Sequence, residues 1–311
     1  MFKKYLRTVL SIAMAGTIAG GLSVQAQPKL SADNIDQILK AMTLDEKATL
    51  CIGGGRAVTT GGVSTGITDL VKGAAGSTRK IERLGIPATV LADGPAGLRI
   101  TPVRQGDSQT YYCTGFPVGP LLASSWDLDL VKKVTTAMGN EVLEYGVDVL
   151  LAPGMNLQRS PLGGRNFEYF SEDPLLTGHM AAAVVRGLRK AGIDACPKHF
   201  ACNNQETNRS FSCSHVSERA LREIYLKGFE IAVKKSRPLS VMTSYNLLNG
   251  IHTANSRDLC TRTAREQWGF DGIIITDWTT TNALGGASAA KCVAAGNDVV
   301  MPGKESDVLE I

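Results

Sequence analysis

The chain predicts an α/β fold built on a parallel sheet, and three observations carry that expectation. Short apolar runs alternate with longer segments of helical periodicity along nearly the whole length, the pattern of parallel strands joined by crossover helices. The apolar runs are continuous instead of alternating with polar residues, as strands covered on both faces require. The 311 residues are 43% hydrophobic and 20% charged, too apolar for disorder and long enough for one barrel of roughly 250 residues with flanking segments. A doubly wound sheet and a closed barrel both satisfy these observations.

Lys3, Lys4 and Arg7 precede an apolar stretch from about Val9 to Val24, and Val24 and Ala26 place small residues before a cleavage point at Gln27. Residues 1–26 therefore read as a secretory signal peptide. Gly16, Gly20 and Gly21 interrupt the stretch, which is short for a membrane span. The expectation is an exported protein, periplasmic or extracellular, with no membrane association after cleavage. The leader supplies three of the formal net +4 charges. The remainder is nearly neutral, which argues against a nucleic-acid partner. Export permits disulfides. Of the seven cysteines, Cys202 and Cys213 are close enough in sequence to bridge a loop, and buried free thiols account for them equally well.

The elements follow in order. Residues 31–40 read as a short helix, and Thr43-Leu44-Asp45-Glu46 has the capping-box pattern for the next. Residues 53–76, rich in glycine, serine and threonine, read as a long surface loop at the mouth of a site. Gly53-Gly54-Gly55 is not a phosphate loop, because no Gly-Lys-Ser/Thr follows. Strands are predicted at 88–92, 147–152, 193–200, 239–243, 272–276 and 298–301. Helices are predicted at 127–145, 175–191, 217–235 and 256–268. Val131, Val134, Met138 and Val142 share a face of the first, and Ser217 caps the third. Residues 305–311 read as a helix that has just begun, so the chain is expected to be a piece of a longer protein.

Polar residues gather at the strand exits. Asp93 ends one run, with Arg99 beyond it; Asn156, Arg165, Glu168 and Asp173 follow a second; Lys198-His199 ends a third, ahead of Asn203, Asn204, Glu206 and Arg209. Tyr245-Asn246 and Asp277-Trp278 close two more. Turn chemistry favours Gly, Asn, Asp and Ser and does not explain Lys, His, Arg, Tyr and Trp at these positions. A pocket for a polyhydroxylated ligand does, since it needs charged donors, carboxylate acceptors and an aromatic face. Cys196, His199 and Cys202 have a spacing seen among zinc ligands, but on a strand that spacing turns His199 away from both cysteines. No metal and no cofactor is expected.

In ordered sequence, the chain resembles family 3 glycoside hydrolases, especially bacterial β-glucosidases. The matching segments are Asp93-Gly94-Pro95-Ala96-Gly97-Leu98-Arg99, Gly164-Arg165-Asn166-Phe167-Glu168, Ser171-Glu172-Asp173-Pro174, Lys198-His199-Phe200, Asn203 through Arg209, Val216 through Arg219, Tyr245-Asn246, Trp268 through Gly272, Asp277-Trp278 and Ala295 through Asp298. The resemblance implies that residues 27–311 form an N-terminal TIM-type (β/α)8 barrel, irregular and cut in its last helix. It implies a retaining, exo-acting β-glucosidase that removes terminal non-reducing β-D-glucosyl residues, with Asp277 as the nucleophile. The substrate-binding set it implies is Asp93, Arg99, Arg165, Lys198, His199, Arg209 and Tyr245, with nearby cations keeping Asp277 ionised. Trp278 reads either as an apolar wall for a sugar face or as core, Met242 more as core, and Glu168 and Asp173 as members of structural ion pairs. The acid of the two-domain relatives comes from a later α/β sandwich domain, absent here and expected to pack on the barrel. Two alternatives remain. One is a single-domain β-N-acetylhexosaminidase, whose catalytic histidine falls near Ser214-His215, although Cys213 stands where its aspartate is expected. The other is a non-catalytic sugar-binding remnant.

Overall fold

The computed structural model describes residues 27–60, 63–67, 70–281 and 286–311; the leader expected over 1–26 lies outside them. The fold is mixed α/β. Its strands are β1 (Arg56–Thr60), β2 (Val63–Ile67), β3 (Gly76–Ser77), β4 (Val90–Asp93), β5 (Val149–Leu151), β6 (Asp194–Ala195), β7 (Lys198–Phe200), β8 (Cys213–Ser214), β9 (Ser240–Thr243), β10 (Leu247–Leu248), β11 (Ile251–His252) and β12 (Ile273–Ile275). Two ladders dominate, in the orders β3-β4-β5-β6 and β12-β9-β7. All their pairings are parallel except β3 with β4. Single bridges run from Gly154 to Lys198, Ile275 to Val299, Ile52 to Val300 and Gly54 to Ser77.

The continuous apolar runs have a simple cause. Leu91, Leu151, Met242 and Ile275 enter one buried cluster with Ala75, Cys196, Trp278, Val299 and Met301. Their neighbours Val90, Ala92, Leu150, Val241 and Ile274 point the other way, into a larger cluster shared with the helices. Each strand is thus apolar on both faces, as period-2 alternation of direction requires.

On the helical side, Leu128–Glu144 packs against Pro174–Lys190, which packs against Lys227–Ser236. Asp127 and Asp173 cap the first two, each accepting from two backbone N–H groups of the first turn. The first contact is close at Gly187, where an added Cβ would lie 2.7 Å from the Lys132 carbonyl oxygen. Thr43 and Glu46 form the expected capping box for Leu44–Leu50.

Several expectations are corrected. The first helix is Ile35–Ala41, later than expected, because the Asn34 side chain accepts from the Ser31 N–H and holds a turn there. The stretch expected as a loop over 53–76 contains the antiparallel pair β1–β2. The run 193–200 is two strands separated by Cys196 and Pro197, whose ring removes a ladder donor. Leu221–Tyr225 and Asp258–Gln267 wind as π-helix inside or in place of the expected α-helices. Residues 298–301 contribute bridges at Val299 and Val300, not a ladder. All seven cysteines are free, Cys202 and Cys213 included.

Candidate active site

Strands β4 and β5 run parallel, as do β7, β9 and β12, and the Gly154–Lys198 bridge between the two groups is parallel as well. Their C-terminal ends therefore face one way and open on a cleft of about 1150 Å³. Asp93, Arg99, Arg165, Lys198, His199, Arg209, Tyr245, Asp277 and Trp278 all line it. The structure thus brings together the nucleophile and the substrate-binding set implied by the resemblance, whereas Asn156, Asp173, Asn203, Asn204 and Asn246, also at the strand exits, lie outside the lining.

The turn after β4 folds Arg99 back onto Asp93. Gly97 takes φ +122°, open to glycine and strained for a side chain, and its N–H bonds the Gly94 carbonyl at 3.2 Å. The Arg99 N–H then reaches the Asp93 carbonyl at 2.9 Å, and the guanidinium stands 3.6 Å from Asp93 Oδ2. Lys198, in β7 and almost wholly buried, donates to Asp93 Oδ1 at 2.6 Å. Arg165 pairs with Glu168 across the turn Asn166–Glu168. Arg209 pairs with Glu206 at 2.8 Å and lies over the Tyr245 ring, 4.5 Å from its centre.

Asp277 differs from the other carboxyls of the cleft. It follows β12, and its Oδ1 accepts from the Trp278 N–H at 2.7 Å. Its Oδ2 is buried and accepts no hydrogen bond among the described residues. His199 Nε2 stands 3.6 Å away, beyond hydrogen-bond reach. The turn that carries it is pinned by Thr280 Oγ1 donating to the Asp277 carbonyl at 2.8 Å and by the Thr279 N–H on the Met301 carbonyl at 2.9 Å. Thr279 has φ +64°, a strained position for a β-branched residue, and such strain clusters at functional turns.

The electrostatics separate these groups. Burial pushes the Asp277 carboxyl above its ordinary range, and Arg165, Lys198 and Arg209 only partly offset it. The neighbouring cations thus oppose the desolvation without outweighing it. Burial also acts to raise Asp93, but Lys198, then Arg99 and Arg165, outweigh it and hold that carboxyl low. Burial, with Arg165, Lys198 and Arg209, holds His199 well below its ordinary range, so the ring is neutral. Burial, then the Asp277 charge, lifts the Tyr245 hydroxyl well above its own, which leaves it a donor; it donates to the Trp278 carbonyl at 2.7 Å.

Trp278 unites its two readings. It is packed in the strand cluster with Nε1 donating to the Ala75 carbonyl at 2.9 Å, and it also lines the cleft, as does Met242. Glu168 forms its expected ion pair, whereas Asp173 serves as a helix cap. His215 is exposed and lies outside the cleft lining. Among the described residues, Cys196, His199 and Cys202 do not gather into a three-ligand metal cluster, and no helix is long and apolar enough to cross a membrane.

Sequence reasoning placed Asn156 at a strand exit without finding its partner, and it passed over part of the cleft wall. Asn156, beyond β5, is buried and bonded to both backbone groups of His199. Val103 and Phe167 expose apolar surface on the cleft rim, in loops without periodicity to mark them.

Residues 54–310 match the family described as the glycosyl hydrolase family 3 N-terminal domain. The chain is 51% identical over 231 residues to a β-glucosidase from Ruminococcus albus, covering 73% of this chain and 24% of that protein. It is 40% identical to an exo-α-(1→6)-L-arabinopyranosidase from Bifidobacterium longum, covering 86% and 33%. Among solved structures, β-glucosidase 3B from Thermotoga neapolitana in complex with α-D-glucose superposes with a TM-score of 0.80 at 52% identity, covering 88% of this chain and 37% of that one. The chain thus spans between a quarter and two fifths of the length of these proteins. On the extent of that match, the chain belongs to glycosyl hydrolase family 3, through its N-terminal domain.

Proposed function

We propose that this chain carries the sugar site and the nucleophile of a retaining, exo-acting β-glucosidase. The observation that carries the reading is Asp277: a buried, strand-end carboxylate whose Oδ2 accepts no hydrogen bond among the described residues, facing a cleft lined by Arg99, Arg165, Lys198, Arg209 and other partners for a sugar. In this reading Asp277 Oδ2 attacks the anomeric carbon as the glycosidic C–O bond breaks. The leaving oxygen takes a proton from an acid, and water then hydrolyses the glycosyl ester. Asp93, Arg99, Arg165, Lys198, His199, Arg209 and Tyr245 hold the sugar hydroxyls, and Trp278 walls one face. A β-glucosyl substrate is favoured by the names of the Ruminococcus and Thermotoga relatives, while the arabinopyranosidase marks how far related proteins differ in sugar.

The acid is assigned to a later part of the protein, an α/β sandwich domain packing over the cleft. Supporting this, the other cleft carboxyls, Asp93, Glu168 and Glu206, are each held by a cation, and the relatives are much longer. The single-domain hexosaminidase reading loses support because its histidine, His215, is exposed and outside the cleft lining. The sugar-binding remnant is the reading that the labelling experiment below separates. The scaffold is proposed to be an irregular (β/α)8 barrel over residues 27–311. Its support is the circuit of ladders and bridges through 52–54, β3, β4, β5, β6–β7, β9, β12 and 299–300, with β3 antiparallel. Export is proposed on the leader pattern of residues 1–26; a secreted form whose intact mass begins at Gln27 checks it, and a retained leader refutes it.

The test of the nucleophile is covalent trapping. Incubation with a 2-deoxy-2-fluoro-β-glucoside bearing a dinitrophenyl leaving group needs little acid assistance for the first step and slows the second. The expected result is a fluoroglucosyl ester on the peptide containing Asp277. A label on another residue, or none in protein that releases dinitrophenol from the parent glucoside, overturns the assignment.

A further inference from the structure

The environment of His199 specifies more than its position. Asn156 is buried, with 3% of its surface exposed, and His199 has 2%. The Asn156 amide is oriented by two backbone groups that each have one role. The His199 N–H can only donate, and it meets Asn156 Oδ1 at 2.8 Å. The His199 carbonyl can only accept, and it meets Asn156 Nδ2 at 2.8 Å. The oxygen and nitrogen of this amide are therefore assigned by chemistry, not by choice. The same Oδ1, which has a second lone pair, lies 3.3 Å from His199 Nδ1. A bare Nδ1 would set two lone pairs against each other, whereas a protonated Nδ1 makes a hydrogen bond. The ring is neutral and carries a single proton, so Nε2 has none. Nε2 is the nitrogen that faces Asp277 Oδ2 at 3.6 Å, and that oxygen receives no hydrogen bond among the described residues.

We propose that Asn156 is a positioning residue that holds His199 in its Nδ1–H form, so that Nε2 faces the cleft as an acceptor for a ligand hydroxyl and leaves Asp277 Oδ2 undonated. The cleft then presents a neutral acceptor beside the reactive carboxylate. A hydroxyl-bearing ligand donates to Nε2, and Asp277 keeps the lone pair it needs. The hydroxyl half of this inference rests on the sugar-site reading; the tautomer half does not.

The experiment separates the two. In chain labelled with ¹⁵N-histidine, long-range proton–nitrogen correlations distinguish the tautomers, and His199→Gln identifies the resonance by its loss. The expected pattern is a protonated Nδ1 and bare Nε2, unchanged between about pH 5 and 8. A protonated Nε2 overturns the proposal. Asn156→Asp keeps an acceptor for both the His199 N–H and Nδ1, loses the donor to the His199 carbonyl, and should still show a protonated Nδ1. Asn156→Leu removes the acceptor, and should lose the pattern and weaken glucose binding about tenfold, the worth of one ligand hydrogen bond. If Asn156→Leu does not fold, the native and Asn156→Asp spectra still decide. An intact Nδ1–H pattern with no glucose binding refutes the sugar-site reading and upholds the role of Asn156.

Discussion

Asp277 and Asp93 line one cleft, yet their surroundings drive them in opposite directions, and the consequence for stability has opposite signs. The folded pKa of Asp277 lies above its unfolded value near 3.9. Its contribution is therefore most favourable below that pH, falls as pH rises through the folded pKa, and remains a cost at neutrality. Asp277→Asn should melt higher than the parent at pH 7, with the gap closing below about pH 4. Asp93 has the reverse shift: its stabilisation is complete above the unfolded value and is lost as pH falls through the folded one. Asp93→Asn leaves Lys198 buried without its counter-charge. It should cost on the order of 2 kcal/mol at pH 7 by urea denaturation, less than the about 3–5 kcal/mol of a fully buried pair, because Asp93 is 33% exposed. A lower melting point for Asp277→Asn at pH 7 would show that the cations outweigh burial there. At this scale the sequence is informative where a charged residue ends an apolar run, as with Asp93, Lys198 and Asp277. It places Asn156 at a strand exit but does not reveal its role, which is a hydrogen-bond pattern without charge. Asp173 was misread, although an Asp directly before Pro174 at a helix start is a capping signal.

Among the elements, the helix pair Leu128–Glu144 and Pro174–Lys190 shows why local preference does not decide a substitution. Alanine normally favours a helix interior over glycine by about 1 kcal/mol. At Gly187 the new methyl would meet the Lys132 carbonyl and the Thr135 side chain. Overpacking of about 1–3 kcal/mol outweighs the propensity gain, so Gly187→Ala should lower the urea midpoint with the slope unchanged; a rise would show that the helices separate freely. Strands were legible where apolar runs were continuous, as at Ile273–Ile275. The pair β1–β2 was not, although β-branched residues flank Gly61-Gly62 in the hairpin pattern. The π-helical windings leave no mark in the sequence, because the same apolar residues serve a helix of either pitch.

For the whole molecule, the alternation of elements revealed the α/β class, but composition and periodicity left the sheet's closure undecided, since buried strands read alike in an open sheet and in a ring. The ordered motifs, not periodicity, carried the expectation of family. If the acid lies in a later domain, this chain should release dinitrophenol from an activated glucoside while cleaving cellobiose at least about a hundredfold less efficiently, the lower range of a general acid's worth. Comparable kcat/KM on both substrates would place a proton donor within these 311 residues.

The contact of Ile52 with Val300 joins segments near opposite ends of the chain. Bringing them together costs more loop entropy than any neighbouring strand pairing. During synthesis, the N-terminal partner must wait, uncovered, until almost everything between has emerged. Sealing this seam is thus a late event within the fold, and a nascent chain depends on whatever shields Ile52 until Val300 arrives.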